Sequence, residues 1–485
     1  MAYPRGEKIA YGGYAQFVEP PVEYITTSRQ ICGIYPYNSG ASLPVKGVPL
    51  GREYYSGAAF CCDPISWFQE AKLIQNPSAF ILGLPGFGKS TLVRKLLLGS
   101  AGFGRIPLVL GDLKPDHVDL IQAMGGQTIT LGHNRGSLNP LDFSFDITKV
   151  SQKPKNEIIS DFKARRLDFI LMLLTVFRQN KPITREEAIL TAALNELDKK
   201  FPLEKINSKT SPILNDLLQI IINAPESVQI AANSRGNENK YLDITENLEA
   251  DIRAIATGTS RLGNTFSKKT TNIMKMDRPV VFDLSNINES EAQLRAASLL
   301  ASWQVGFGTV EVANILAEAN VIPQRHYDVV MDELWMVLRA GNGIVTFIDG
   351  ITRLNRNYGV SQTMITHTME DLLSMPDEHD KQAAKGLVAR AGIKFLGPLP
   401  NSEMTLLNSA ALELSKTEAQ LLQSWVTPAS WRGEQSLPGQ GCFLCKIGGR
   451  PGIAFRTILT PSEMSGIHDT NKKWHAKSKI GGLND

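Results

Sequence analysis

The residues best suited to chemistry lie at Gly83-Leu84-Pro85-Gly86-Phe87-Gly88-Lys89-Ser90, which fits G-x-x-x-x-G-K-[ST] at every fixed position. A polyphosphate needs backbone N–H groups that converge with no Cβ in the way, so glycines at 83, 86 and 88 suit a phosphate nest. Lys89 would reach the β and γ phosphates as a point charge, and Ser90 would place its hydroxyl on Mg²⁺. With Thr91 the stretch reads as the nucleotide-contacting loop. A second run, Tyr327-Asp328-Val329-Val330-Met331-Asp332-Glu333, takes apolar residues straight into an acid pair. There Asp332 would hold Mg²⁺ through its water shell, and Glu333 would polarise the attacking water.

Other candidates follow apolar runs in the same way. Ile106 to Leu110 delivers Asp112 to a strand's C-terminal end, where ligands of open α/β sheets sit. Asp112 would approach the Mg²⁺ shell or a catalytic water, or it would cap the next turn. Gly359 to Thr368 reads as a strand with a polar end, where Thr366 or His367 would sense the γ-phosphate. A satisfied loop histidine is the alternative. Arg353 and Arg356, three apart on one helix face, are either surface residues or hold an arginine finger for a neighbouring subunit's site.

The elements that must position these groups alternate between apolar runs and helical periods. Phe80 to Leu98 is a strand, a loop and a leucine-striped helix. Strands are expected at Ile106 to Leu110, Gln127 to Leu131 and Pro279 to Asp283, with a helix at Val118 to Met124 and a turn-rich loop at Ser137 to Asp142. From about Asn156 to Gly258 the period is helical, with a broad apolar face at 158, 159, 162, 167, 170, 171, 174 and 177. Thr184 with Glu187 reads as a capping box, and Ser211-Pro212 as an N-cap and first-turn proline. Lys163, Arg165 and Arg166 form either a solvated face or a phosphate patch. Ser415 with Glu418 caps a last helix, and Gly441 to Ile447 pairs with Gly452 to Ile458 as a hairpin.

The 485 residues exceed one usual core, so two units or one core with a large insertion are expected. The division is an irregular N-terminal extension at 1–70, a nucleotide-binding core at 71–150 and 271–465, a helical insertion at 151–270, and a flexible basic tail at 466–485. Short strands are expected at Tyr14 to Val18 and Gln30 to Tyr35. A net charge of +3 is too slight to diagnose nucleic-acid binding. Five cysteines, an odd number, argue against a disulfide framework and fit a reducing compartment. The lone Cys442-x-x-Cys445 and the Cys61-Cys62 pair read as core packing rather than zinc ligands. The longest apolar run, near Phe169 to Val176, is well short of the ~20 residues of a membrane helix. The start lacks a secretory h-region, so the expected place is cytoplasmic or peripheral on a membrane assembly.

Taken in order, GLPGFGKST, VLGDLKPDHVDLIQAMGGQTITLGHNRGSLNPLD, a helical insertion, VVFDL, VVMDELW, RLNRNYGVSQTMITHT, LSKTEAQLLQSW and GCFLCKIGGRPGIAF resemble the conjugative-transfer ATPases of type IV secretion systems. These VirB-four-like proteins belong to the HerA/FtsK group of P-loop motors, and the likeness is to the short forms on actinobacterial conjugative elements. The resemblance spans about residues 40 to 460 and implies an α/β, RecA-like core with a mostly parallel sheet. It implies ATP as the nucleotide, a hexamer or other oligomer, channel components as partners at the inner face of the membrane, and Arg356 as the trans-acting finger. The family usually ends its sensor strand in Thr-Gln, where this chain has Thr366-His367. The leading function is an ATP-hydrolysing motor for substrate transfer or channel assembly; the alternatives are a DNA-pumping translocase and a non-hydrolysing scaffold. The latter could dispense with Glu333.

Overall fold

The computed structural model describes residues 44–133, 135–142, 152–203, 209–341, 344–345, 348, 359–370, 377–409, 414–426 and 439–464. The strands expected at Tyr14 to Val18 and Gln30 to Tyr35, the helix carrying Arg353 and Arg356, and the basic tail lie outside them.

Pro49–Glu53 (β1) and Ala59–Cys61 (β2) pair antiparallel, and Pro64–Gln69 (α1) follows, capped by Asp63, which accepts from the Ser66 amide at 2.8 Å. This corrects the expectation of an irregular stretch at 1–70 for its described part. β1 buries Leu50 alone, too little for a period of two to register, and it is held by pairing with a strand from the far end of the chain.

Ser78–Leu82 (β3) is buried at every position, as a strand covered on both faces must be, and it enters Lys89–Gly102 (α2) through the glycine-rich loop. Ile106–Asp112 (β4), Val118–Ala123 (α3) and Gln127–Thr130 (β5) come next. Five helices then intervene: Gln152–Arg178 (α4), Thr184–Lys200 (α5), Leu214–Asn223 (α6), Glu226–Ala231 (α7) and Glu238–Ala256 (α8). Val280–Asp283 (β6), Ala292–Glu318 (α9), Tyr327–Met331 (β7), Leu334–Leu338 (α10) and Val360–Thr366 (β8) return to the sheet. Glu378–Arg390 (α11), Ile393–Leu396 (β9), Asn401–Ser409 (α12), Lys416–Ser424 (α13) and the hairpin Cys442–Lys446 (β10) and Ile453–Thr457 (β11) complete the described chain.

Among the described residues one eleven-stranded sheet results, in the order β2-β1-β11-β10-β9-β3-β8-β7-β4-β6-β5. From β9 to β5 all neighbours run parallel, and β10, β11, β1 and β2 extend the sheet antiparallel. The expected α/β class with a mostly parallel sheet and a C-terminal hairpin is what forms. Strand alternation splits the core. Phe80, Leu82, Leu108 and Leu110 face α9 and the helical block, whereas Ala79, Ile81 and Val109 face α2 with Leu92 and Val93. The same alternation sends Cys442 and Cys445, three apart in β10, to opposite cores, so the two thiols cannot share one metal ion.

Helix α9 is pressed onto β4. The Trp303 indole donates to the Leu110 carbonyl at 2.6 Å, and at Gly111 (φ +120°) a Cβ would come within 2.2 Å of Leu299. Of the three cations expected on one α4 face, Lys163 is exposed, as a solvated face requires, whereas Arg166 pairs with Asp198 at 2.8 Å and Arg165 pairs with Glu311 of α9. Arg178 ties α4 to Glu186 of α5, at 2.7 Å, and to Asp251 of α8. Two expected caps are corrected. Thr184 is the first residue of α5, not its cap, and Glu186 rather than Glu187 accepts from the Ile183 amide at 2.9 Å. Ser211 bonds Asp142 at 2.6 Å, and α6 begins only at Leu214. Ser415 and Glu418 form the expected reciprocal box. Among the described residues no helix is long and apolar enough to cross a membrane.

Candidate nucleotide site

The glycine-rich loop leaves β3 at the C-terminal edge of the parallel strands. Gly86 and Gly88 adopt φ of +83° and +97°, and a Cβ on Gly86 would meet nothing within 4 Å, which leaves an open cradle. Gly83 serves packing instead: its Cβ would stand 3.1 Å from Gly397. Backbone bonds from Leu84 to the Pro398 carbonyl (3.2 Å) and from Gly441 to the Phe87 carbonyl (3.0 Å) brace the loop, so the start of β10 is a support for it.

Lys89 is buried, and its ammonium donates to the carbonyls of Gly83 (2.6 Å) and Leu84 (3.1 Å). It also lies 2.9 Å from His367 Nδ1. An ammonium can only donate, so Nδ1 accepts and Nε2 carries the ring proton. That Nε2 lies 3.3 Å from Glu333 Oε2. His367, at the end of β8, therefore bridges the loop lysine and the acid of the Asp-Glu pair. Beside it the Thr366 hydroxyl is buried with no hydrogen-bond partner among the described residues.

Burial draws the Lys89 pKa down to about 8, against the pull of Asp332 and Glu333. Burial, then the Glu333 charge, pushes Asp332 up to about 7. Burial would raise Glu333 too, but hydrogen bonds from His367 and Lys114 hold it well below the usual carboxylate range. Glu333 itself adopts φ +51°, sparsely populated for a residue with a side chain.

Asp112 takes the capping role of its two readings: its oxygens accept from the amides of Asp116 (2.9 Å) and His117 (2.7 Å). Ser90 donates to Asp116 at 2.8 Å. Asp116, Lys114 and Trp335 were missed by sequence reasoning. The signal was the charge-rich Asp112-Leu113-Lys114-Pro115-Asp116 turn after a buried strand, which is where a site would be sought. Arg356 lies outside the described residues.

The donor set fits a magnesium nucleotide. Mg²⁺ takes one or two protein oxygens together with phosphates and water, and the Ser90 hydroxyl and Asp332 carboxylate are oxygens of the kind it would take. The open cradle at Gly86 and the ammonium of Lys89 suit a polyphosphate.

The sequence matches no protein-family model and no curated protein. Among solved structures, the chain is similar to VirB4 of Thermoanaerobacter pseudethanolicus, with a TM-score of 0.64 and 19% identity over 88% of this chain and 100% of that one. It is also similar to the plasmid coupling protein TrwB in complex with the non-hydrolysable ATP analogue ADPNP, with a TM-score of 0.50 and 11% identity over 92% of this chain and 97% of that one. At these identities the likeness is one of fold, and it extends over most of each chain.

Proposed function

Starting from the fold shared with VirB4, we propose that the chain is the ATP-hydrolysing motor of a type IV secretion or conjugative DNA-transfer apparatus, energising substrate transfer or channel assembly. The observation that carries the reading is the contact chain Lys89–His367–Glu333, which links the phosphate-directed lysine to the water-directed acid through one histidine. Gly83 to Thr91 would hold the polyphosphate, Ser90 and Asp332 would hold Mg²⁺, and Glu333 would orient the lytic water. Magnesium supplies neutralisation of phosphate charge when bound. ATP is taken as the nucleotide, and the ATP analogue bound to TrwB is compatible with that choice. The reading includes a hexamer at the cytoplasmic face of the cell membrane, channel components as partners, and Arg356 reaching a neighbouring subunit's site.

One observation favours a second reading, a DNA-pumping translocase. Beyond β5 an open pocket of about 250 Å³ is lined by Gly132, Arg135, Ser137, Asn264, Lys268 and Thr271, and its exposed cations suit a phosphate backbone. A non-hydrolysing scaffold has no need of the acid that three donors hold in place at position 333.

The test is ATP turnover by the purified protein with Mg²⁺, with and without single- and double-stranded DNA, across protein concentration. A low, DNA-indifferent rate that rises with oligomerisation is the expected result. Lys89→Ala should weaken nucleotide binding, and Glu333→Gln should bind ATP without turning it over. Unimpaired turnover in Glu333→Gln would overturn the assignment.

A further inference from the structure

Both oxygens of Glu333 are engaged. Lys114 Nζ lies 2.9 Å from Oε1, the Trp335 indole N–H donates to Oε2 at 2.6 Å, and His367 Nε2 stands 3.3 Å from Oε2 and 3.4 Å from Oε1. A carboxylate offers about four acceptor positions, so the three donors among the described residues leave about one. The donors come from three elements: the loop after β4, the start of α10 and the end of β8. They converge on a residue whose backbone is in the left-handed region, sparsely populated for a residue with a side chain.

Lys114 is the cation of the three. Its side chain is 60% exposed while that of Glu333 is 8% exposed, so it reaches in from the surface to a buried acid and contributes nothing to the core. We propose that Lys114 is a positioning residue for hydrolysis: with Trp335 it pins the Glu333 carboxylate so that the remaining acceptor position is presented to the attacking water. The proposal rests on the reading of this site as a nucleotide-hydrolysing centre. Lys114 acts through Glu333 and has no part in holding the nucleotide, which separates its role from that of Lys89.

The experiment measures kcat and KM for Mg-ATP on the full chain with Lys114→Met, which keeps the length and removes the charge, and with Lys114→Arg. Lys114→Met should lower kcat by about tenfold or more through misplacement of the acid. KM should stay within about twofold, because an interaction outside ground-state binding is removed. Lys114→Arg should restore most of the rate. A loss confined to KM would make Lys114 a nucleotide ligand and overturn the proposal, as would an unchanged or raised kcat. The emission that Trp335→Phe removes is a readout free of turnover, and Lys114→Met should shift it as the carboxylate moves. If the native chain does not hydrolyse ATP, the catalytic reading fails, and an emission shift still supports pinning. An unshifted emission in that case overturns it.

Discussion

The Ser90 hydroxyl donates a hydrogen bond to the Asp116 carboxylate at 2.8 Å, beside the phosphate loop. A hydroxyl committed as donor turns its lone pairs outward, which is what a magnesium ligand requires. Asp116 is itself anchored, since its carbonyl accepts from Arg94 of α2. Asp116→Ala should therefore raise the Mg²⁺ concentration for half-maximal turnover by about tenfold, as loss of partners behind a metal ligand does. Nucleotide binding in EDTA should be unchanged. A Mg²⁺ titration identical to that of the native chain would refute this role.

Lys89, with its pKa drawn down to about 8 by burial, is half neutral at that pH in the nucleotide-free chain. A polyphosphate restores the charged form, so binding ATP in EDTA at pH 8, where the γ-phosphate is already ionised, should take up about half a proton. Calorimetry in buffers of different ionisation enthalpy reads this directly. Equal heats in all buffers at pH 8 would contradict it.

Asp328 is buried in β7, where it accepts from the Ser361 hydroxyl, and burial pushes its pKa up to about 6. A carboxyl raised in the folded state binds its proton more tightly there than in the unfolded chain. Its contribution is full below about pH 4 and is lost as pH rises through 6. Asp328→Asn should therefore stabilise the chain at pH 8 by about 1–3 kcal/mol, with the difference vanishing near pH 4. Thermal unfolding across that range checks it, and a gap independent of pH would count against the burial argument.

Arg135 and Lys268 lie far apart in sequence but line one pocket beyond β5. If DNA is bound there, the double variant Arg135→Ala with Lys268→Ala should lose affinity for single-stranded DNA at low salt and show a shallower salt dependence, by about two charges. Nucleotide binding should be unaffected. DNA affinity equal to that of the native chain would leave the secretion-motor reading alone in the field.

Much of the sheet is legible without coordinates. The runs at 106–110 and 327–331 are apolar enough to announce buried strands, and 360–366, although four of its seven residues are polar, reads as a strand after a glycine turn; each forms. β9 is not legible: it is four residues long and contains Lys394, which is buried only because its ammonium donates to the Ala389 and Ala391 carbonyls. The caps at Thr184 and Ser211 fail for a related reason. Ser211 finds Asp142, a partner from another part of the chain, and a tertiary hydrogen bond takes the place of the local one.

The identities of the reactive groups are local matters. Gly83 to Ser90 and Asp332-Glu333 can be read from spacing, because a phosphate nest and a strand-end acid pair are built from consecutive residues. Their connections are not local. That β3 lies between β8 and β9 follows from register between distant strands, and this order brings His367 beside Lys89. Lys114 meets Glu333 because β4 and β7 are neighbours, a pairing that no periodicity encodes, whereas Trp335 reaches it from two residues away in the same turn. Composition and spacing name the groups that can act on a phosphate; strand order and the burial that shifts their pKa values set which of them touch, and in what state of charge.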